Sequence, residues 1–377
     1  MADSLRSVQE LQLIAHALAR PGSTPAALAT LVTVAGSSYR RPGARLLLTA
    51  AGVRLGSVSG GCLEEDVLAR ASRVLATGVA EAVVYDTTSE NDLVWGVGLG
   101  CHGVVRVLIE PISSTPAWAA AVVAAAADRR SLTLAVSHDG NDPSAWGTRL
   151  AAGDEGAAAP GIYLQQASPP PRLAIFGAGD DAIPLARLAH GLGWHLVIAD
   201  PRAALNTADR FPWATSREVG PADRLVARVF GGPDLPSAAT SGSLAVVMTH
   251  HYVHDVPVLR DLLPLPLAYV GLLGPRKRAE RILADLAQKG NVVTAGQRAR
   301  LHAPVGLDLG AEAPEEVAHA VIAEILSVLR GRCAGGSARS TPIPEPWKKV
   351  LPPPLTSAAD SSSSPPARRG GWVRPSS

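Results

Sequence analysis

The stretch Pro171-Arg172-Leu173-Ala174-Ile175-Phe176-Gly177-Ala178-Gly179-Asp180-Asp181-Ala182-Ile183-Pro184-Leu185-Ala186-Arg187-Leu188-Ala189 reads as strand, turn and helix. Leu173 to Phe176 form a short apolar run of the kind buried on both faces of a parallel sheet. Ile183, Leu185, Leu188 and Ala189 recur at helical spacing straight afterwards. Between them lies the pattern G-x-G-x-x-A. In a dinucleotide-binding unit the first glycine, Gly177, permits the tight turn, and Gly179 lets a pyrophosphate approach the backbone. Ala182 stands where the helix must pack closely on the strand. The helix start then offers free N–H groups and a positive dipole end to an anion.

The residues that follow support this reading. Trp194 to Asp200 form a second buried strand, ending in a carboxylate at the distance where a Rossmann fold contacts a ribose hydroxyl. Arg202 stands two residues on, where its guanidinium can reach a phosphate. Leu244 to His251 read as a buried strand ending in histidines, so His250 faces the crevice beyond the carboxyl ends of the strands. His250 and His254 are helically spaced beside Asp255, which makes a metal site conceivable, although histidines here can equally cap a helix or bind a ligand. Leu267 to Arg278 give a further strand, a turn at Gly274, and a helix opening on Arg276, Lys277 and Arg278. Three cations at a helix start oppose its dipole, and a bound anion would account for them. Asp180 and Asp181 work the other way, because carboxylates beside a phosphate site repel it. Val305 to Glu312 read as a glycine-punctuated strand and loop. Pro314-Glu315-Glu316 open a last helix, which runs to about Arg332.

The composition sets the outer limits. The chain has 377 residues, 47% hydrophobic and 18% charged, enough core for two domains and a tail. A net charge of +2 gives no case for nucleic acid or a membrane surface. The most apolar stretch, Ala117 to Ala127, is too short to cross a bilayer, and no secretory signal is evident, so a cytoplasmic protein is expected. Cys62, Cys101 and Cys333 are the three cysteines. An odd, small number in a reducing compartment argues for thiol roles over disulfides.

In the N-terminal half, Ser7 to Arg20 carry an apolar stripe and predict an opening helix. Strands follow at Ala29 to Val34 and Ala44 to Thr49, separated by a polar turn. The next segment, Leu55-Gly56-Ser57-Val58-Ser59-Gly60-Gly61-Cys62-Leu63-Glu64, passes through a glycine turn into a helix, Leu63 to Ala76. Cys62 therefore falls near a helix start, where the dipole lowers a thiol pKa. It suits a nucleophile, a soft-metal ligand or a cofactor anchor, or else a small buried residue that packs helix on sheet. Glu81 to Asp86 are a strand, and Gly96-Val97-Gly98-Leu99-Gly100-Cys101-His102-Gly103 place a second thiol in a glycine loop. Two such loops suggest convergence on one site, with His102 as an added ligand. The lack of a C-x-x-C spacing speaks against zinc. Val104 to Glu110, a helix from Ala117 to Arg129 and a strand from Leu132 to Val136 complete this half. Residues 138–160 read as an exposed loop. The expected domains are 1–168, then 169–332 after a stiff Pro-rich linker, then a Ser/Pro/Gly-rich tail at 333–377 that cannot bury enough surface to fold. Cys333 is left without a role.

Taken together these stretches resemble the XdhC/CoxI family, accessory proteins for molybdenum hydroxylases such as xanthine dehydrogenase and aerobic carbon monoxide dehydrogenase. The marks are Ser59-Gly60-Gly61-Cys62-Leu63-Glu64, Gly98-Leu99-Gly100-Cys101, Phe176-Gly177-Ala178-Gly179, Asp200-Pro201-Arg202, Val247-Met248-Thr249-His250, Gly271-Leu272-Leu273-Gly274 and Gly306 to Glu312. The resemblance implies an α/β chain with an N-terminal XdhC/CoxI-type domain and a C-terminal Rossmann-like, doubly wound parallel sheet. It also implies a carrier that binds molybdenum cofactor, as molybdopterin or its cytosine dinucleotide form, assists its sulfuration and delivers it to an apo-hydroxylase. A cysteine desulfurase partner and a homodimer come with it. On that reading Cys62 and Cys101 are thiolate ligands near molybdenum, flanked by Gly60, Gly61 and Gly100. Gly177, Gly179, Asp200, Arg202, His250, Gly274 and Arg276 line the cofactor site. His102 departs from the family's usual glycine after the second cysteine. The competing expectation is an NAD(P)-dependent oxidoreductase, carried by Gly177, Gly179, Ala182 and Asp200 alone.

Overall fold

The structure, a computed structural model, describes residues 4–20, 25–88, 103–152, 159–231 and 242–331. All of them lie in one compact unit, residues 1–334. Cys333 and the tail fall outside the described residues.

The N-terminal half is built on an antiparallel sheet. Its elements are α1 (Ser4–Ala19), β1 (Ala26–Gly36), β2 (Arg45–Thr49), β3 (Arg54–Gly56), α2 (Glu64–Thr77), β4 (Glu81–Asp86) and β5 (Gly103–Ile112), with strand order β3-β2-β1-β5-β4. Side chains of β1 alternate between the two faces, as the two-residue period of a strand requires. Ala27, Ala29 and Leu31 meet Val67, Ala71 and Val74 of α2 on one face. On the other, Ala26 and Leu28 meet Leu11, Ile14 and Leu18 of α1, together with Trp118 and Val122 of α3 (Ala117–Ala127). A small antiparallel sheet, β7-β6-β8, follows, from β6 (Leu132–Ser137), β7 (Gly147–Leu150) and β8 (Ile162–Ala167). Residues 138–160 are therefore not simply a loop. β7 is a half-exposed edge strand with no apolar alternation, and it is pinned because Glu110 accepts from the N–H and hydroxyl of Thr148.

The C-terminal half is a six-stranded parallel sheet. It comprises β9 (Arg172–Phe176), α4 (Ala182–Gly191), β10 (His195–Asp200), β11 (Ser216–Val219), α5 (Ala222–Phe230), β12 (Leu244–Val247), α6 (Tyr252–Leu262), β13 (Tyr269–Leu272), α7 (Arg276–Gln288), α8 (Ala295–Ala299), β14 (Leu301–His302) and α9 (Pro314–Leu329). The strand order β11-β10-β9-β12-β13-β14 reverses between β9 and β12. That reversal is the switch point at which open α/β sheets place ligands, and the G-x-G turn after β9 lies on it. Helices α5, α6 and α7 cover one face, α4 and α9 the other.

Two further expectations change. Residues 305–312, read as strand and loop, hold no strand, because Gly306 and Gly310 adopt φ of 93° and 67°, which a strand cannot hold; the last strand is Leu301–His302, just before them. Strand β12 stops at Val247, and His250 turns left-handed at φ 62° before α6 begins, so His250 and His254 do not share a helix face. No helix among the described residues is long and apolar enough to cross a membrane.

Candidate functional site

The predicted residues fall into two glycine turns, each leading from a strand into a helix. In the first, Cys62 is exposed and free, which removes the buried packing role. It lines a small pocket of about 20 Å³ with Ser37, Ser38, Tyr39, Ser59 and Thr87. The loop is held from below by a residue that sequence reasoning did not single out. Glu64, the first residue of α2, turns its carboxylate back into the turn. It accepts from the N–H groups of Val58 (3.1 Å), Ser59 (2.8 Å), Gly60 (3.1 Å) and Gly61 (2.7 Å), and from the hydroxyls of Ser57 and Ser59. Burial pushes this carboxyl up, but the hydroxyl and N–H of Ser59, the Ser57 hydroxyl and the Gly60 N–H outweigh it and hold it at about 2.

The N–H groups of Gly60 and Gly61 are thus engaged by Glu64 and are not presented to a ligand. Gly60 has another duty. A Cβ there would lie 2.6 Å from the Tyr39 ring, so its bareness lets Tyr39 fold over the turn. The signal for Glu64 was present in Ser59-Gly60-Gly61-Cys62-Leu63-Glu64, as a carboxylate in the first turn of a helix preceded by serines. Gly100, Cys101 and His102 lie outside the described residues. Gly103, two positions after Cys101, lines the same pocket as Cys62.

The second turn follows β9. A Cβ on Gly177 would meet the Met248 carbonyl oxygen at 2.3 Å, so only glycine fits against the end of β12. Asp200 is fully buried. Its carboxylate accepts from the Ala178 N–H at 2.6 Å, the Arg202 N–H at 2.7 Å, and Arg202 Nε and Nη2 at 2.9 and 2.8 Å. Burial raises the Asp200 pKa, and the Arg202 side chain and N–H with the Ala178 N–H more than reverse it. Asp200 therefore braces the glycine turn rather than facing a ribose position, and Arg202 is drawn onto it. Arg210 spans the Ala178 carbonyl and Asp180. Asp181 pairs with His250 Nε2 at 2.7 Å. This pair roofs Gly179, where a Cβ would lie 2.7 Å from Asp181 Oδ1 and 3.9 Å from the His250 ring.

The basic run after Gly274 divides. Arg278 is bonded to the buried carboxylate of Asp255, which also accepts from Thr249, while Arg276 and Lys277 stay exposed. Asp255 is thereby taken up in the fold, and no group of three His, Cys, Asp or Glu side chains among the described residues could hold a metal ion.

Comparison with known proteins gives this geometry a lineage. Residues 19–86 match the XdhC and CoxI family, and residues 173–325 match the XdhC Rossmann domain. A Bacillus subtilis protein, described as a probable subunit of xanthine dehydrogenase, is 33% identical over 321 residues, 80% of this chain and 92% of that protein. The chain belongs to the XdhC and CoxI family. The Escherichia coli protein YqeB, uncharacterised, is 33% identical over 187 residues, 49% of this chain and 32% of its own length. A crystal structure described as a xanthine dehydrogenase from Bacillus halodurans superposes with a TM-score of 0.72 at 30% identity, covering 88% of this chain and 98% of that one. The two XdhC matches take in both glycine turns, one from α1 to β4 with Cys62 and one from β9 into α9.

Proposed function

We propose that this chain is a maturation factor for a molybdenum hydroxylase of the xanthine dehydrogenase or carbon monoxide dehydrogenase type. It binds molybdenum cofactor, assists its sulfuration and hands it to the apo-enzyme. The observation that carries the reading is the exposed Cys62 thiol, raised on a turn that Glu64 locks from beneath, in a chain whose relatives bear xanthine dehydrogenase names. When bound, the cofactor supplies molybdenum and an exchangeable sulfur ligand.

The donor set fits the metal end of that group better than its phosphate end. A thiolate is a soft ligand suited to a thiophilic metal, and the hydroxyls of Ser37 and Ser38 beside it can orient oxygen or sulfur ligands, while that of Thr87 is held by the Gly103 backbone. The Gly60 and Gly61 N–H groups are already engaged, so a phosphate must be held elsewhere, with exposed Arg276 as the candidate. Cys101 is the second thiol of this proposal. The reading carries with it a cytoplasmic homodimer that meets an apo-hydroxylase and a cysteine desulfurase.

A second reading, an NAD(P)-dependent oxidoreductase, draws on the His250–Asp181 pair beside Gly179, which has the form of a proton-transfer couple. The roof that the pair makes over Gly179 counts against it, because a pyrophosphate would have to displace it.

Purified apo-protein incubated with molybdenum cofactor, and separately with NAD and NADP, tests both. Retained molybdenum and pterin should fall at least about tenfold in Cys62→Ser and in Cys101→Ser. Retention of a nicotinamide cofactor alone, unchanged in both variants, would replace the carrier by the oxidoreductase.

A further inference from the structure

Three basic side chains lie together where the parallel sheet begins, at the end opposite the glycine turn. Arg172 opens β9 and His195 opens β10, and the parallel register sets them side by side. Register partners leave a sheet on the same face, here the one covered by α5. Arg129 arrives from the turn after α3 and donates Nη1 to the Pro170 carbonyl at 3.2 Å. Arg172 is only 7% exposed. It donates Nη2 to the Val229 carbonyl at 2.7 Å and sits 5.2 Å from the centre of the Phe230 ring.

These contacts leave much unanswered. Arg129 Nε, Arg172 Nε, Arg172 Nη1 and His195 Nδ1 are buried without a hydrogen-bond partner. Glu218 is the carboxylate whose field reaches Arg172, yet the two make no ion pair among the described residues. Burial, then Arg172 and Arg129, hold the His195 pKa down at about 4, and burial, then Arg172, lower that of Arg129. The C-terminal end of α5 accounts for one cation beside the Val229 carbonyl. It does not account for a second guanidinium and an imidazole, since buried donors are ordinarily paired and buried like charges repel.

We propose that Arg129, Arg172 and His195 form a binding site for a small oxyanion of the phosphate or sulfate class. Two guanidinium edges supply the charge-assisted donors that such an ion accepts, and the neutral His195 imidazole adds a single N–H donor. Arg172 is the floor of the site, and the half-buried Arg129 and His195 form its mouth, where Arg129 swings to admit the ion. The tight enclosure of the nitrogens selects a bare ion over a phosphoryl group carried on a larger molecule. The site is independent of Cys62 and of the crevice above Gly179.

Titration calorimetry on the full-length chain, dialysed free of phosphate and held at constant ionic strength with chloride, tests this. Inorganic phosphate should bind saturably and one to one in the wild type and in Cys62→Ser. Arg129→Gln and Arg172→Met should each weaken that binding at least about tenfold. Glycerol 3-phosphate should bind more weakly than the free ion, and equal affinity would overturn the bare-ion assignment. Absence of saturable phosphate binding, or equal binding by wild type and the arginine variants, would overturn the site itself. Should Arg172→Met fail to fold, Arg129→Gln and His195→Gln, both at the rim, decide the same question.

Discussion

The turn that carries Cys62 and the turn at Gly177 are two versions of one device, a glycine bend from strand to helix whose backbone donors are answered by a carboxylate of the same chain. They differ in where the carboxylate comes from and in what stays exposed. Glu64 is local, three residues past Gly61, and takes up four successive N–H groups, so the first turn is a finished object with a thiol on top. Asp200 comes from the neighbouring strand, 22 residues on, and takes one N–H of the second turn and the whole of Arg202. Among the described residues, the Asp181–His250 pair lies over Gly179. The first turn presents an exposed thiol on a backbone fixed by six hydrogen bonds to Glu64, and the second keeps one side-chain pair over its central glycine.

The strongest way to break the comparison is to remove each brace. Asp200→Asn should cost about 3 kcal/mol in denaturant unfolding, because the amide turns one buried acceptor oxygen into an NH2 group that faces the Ala178 and Arg202 donors. If stability is unchanged, Asp200 is not the brace of the second turn. Glu64→Gln should cost about 2 kcal/mol at neutral pH, since an amide offers one acceptor where a carboxylate offers two. That loss should depend on pH. The Glu64 pKa is depressed in the fold, so its contribution is fully present above the ordinary value of 4.5 and disappears as pH falls toward about 2. The stability gap between wild type and Glu64→Gln should therefore close across that window, and a gap of constant size would show that the carboxylate's hydrogen bonds are not its source.

How far the sequence reveals these arrangements depends on whether the decisive contact is local. The β9 turn was legible because a buried apolar run, two glycines and an alanine occupy consecutive positions, and the second strand with Asp200 follows within one unit. Cys62 was legible as a helix-start thiol for the same reason. Asp200's actual use was not, since its role depends on the Ala178 N–H and Arg202 converging in space, and a carboxylate at that position suits a ribose equally well. Strand β7 was missed because its stabilising contact, Thr148 on Glu110, spans 38 residues and leaves no period in the chain. The left-handed turn at His250 was hidden too, because nothing but its tertiary setting distinguishes it from the start of a helix.

A smaller effect sharpens the contrast at the second turn. Asp181→Asn weakens the cover over Gly179 and removes a carboxylate from the approach of any anion. Half-exposed side-chain pairs of this kind are worth little, so affinity for a phosphate-bearing nucleotide should rise by only about threefold in equilibrium binding. A fall in affinity would mean that Asp181 holds the ligand and does not exclude it.

The smallest effect belongs to the first turn, where the comparison predicts that little is left to adjust. Tyr39 is 66% exposed and folds its ring over Gly60 beside the thiol, so it shields one flank of Cys62 without touching the hydrogen bonds that fix the turn. Tyr39→Ala should leave unfolding stability near that of the wild type and raise the alkylation rate of Cys62 by iodoacetamide by about twofold, through access alone. The same substitution made together with Glu64→Gln separates access from rigidity. If the turn is locked by Glu64, the double variant should gain reactivity beyond the product of the two single effects, because a loosened turn no longer keeps the thiol in one place once its flank is open. A simple product would mean that the turn holds its shape without Glu64, and that the carboxylate stabilises the fold without setting where the thiol sits.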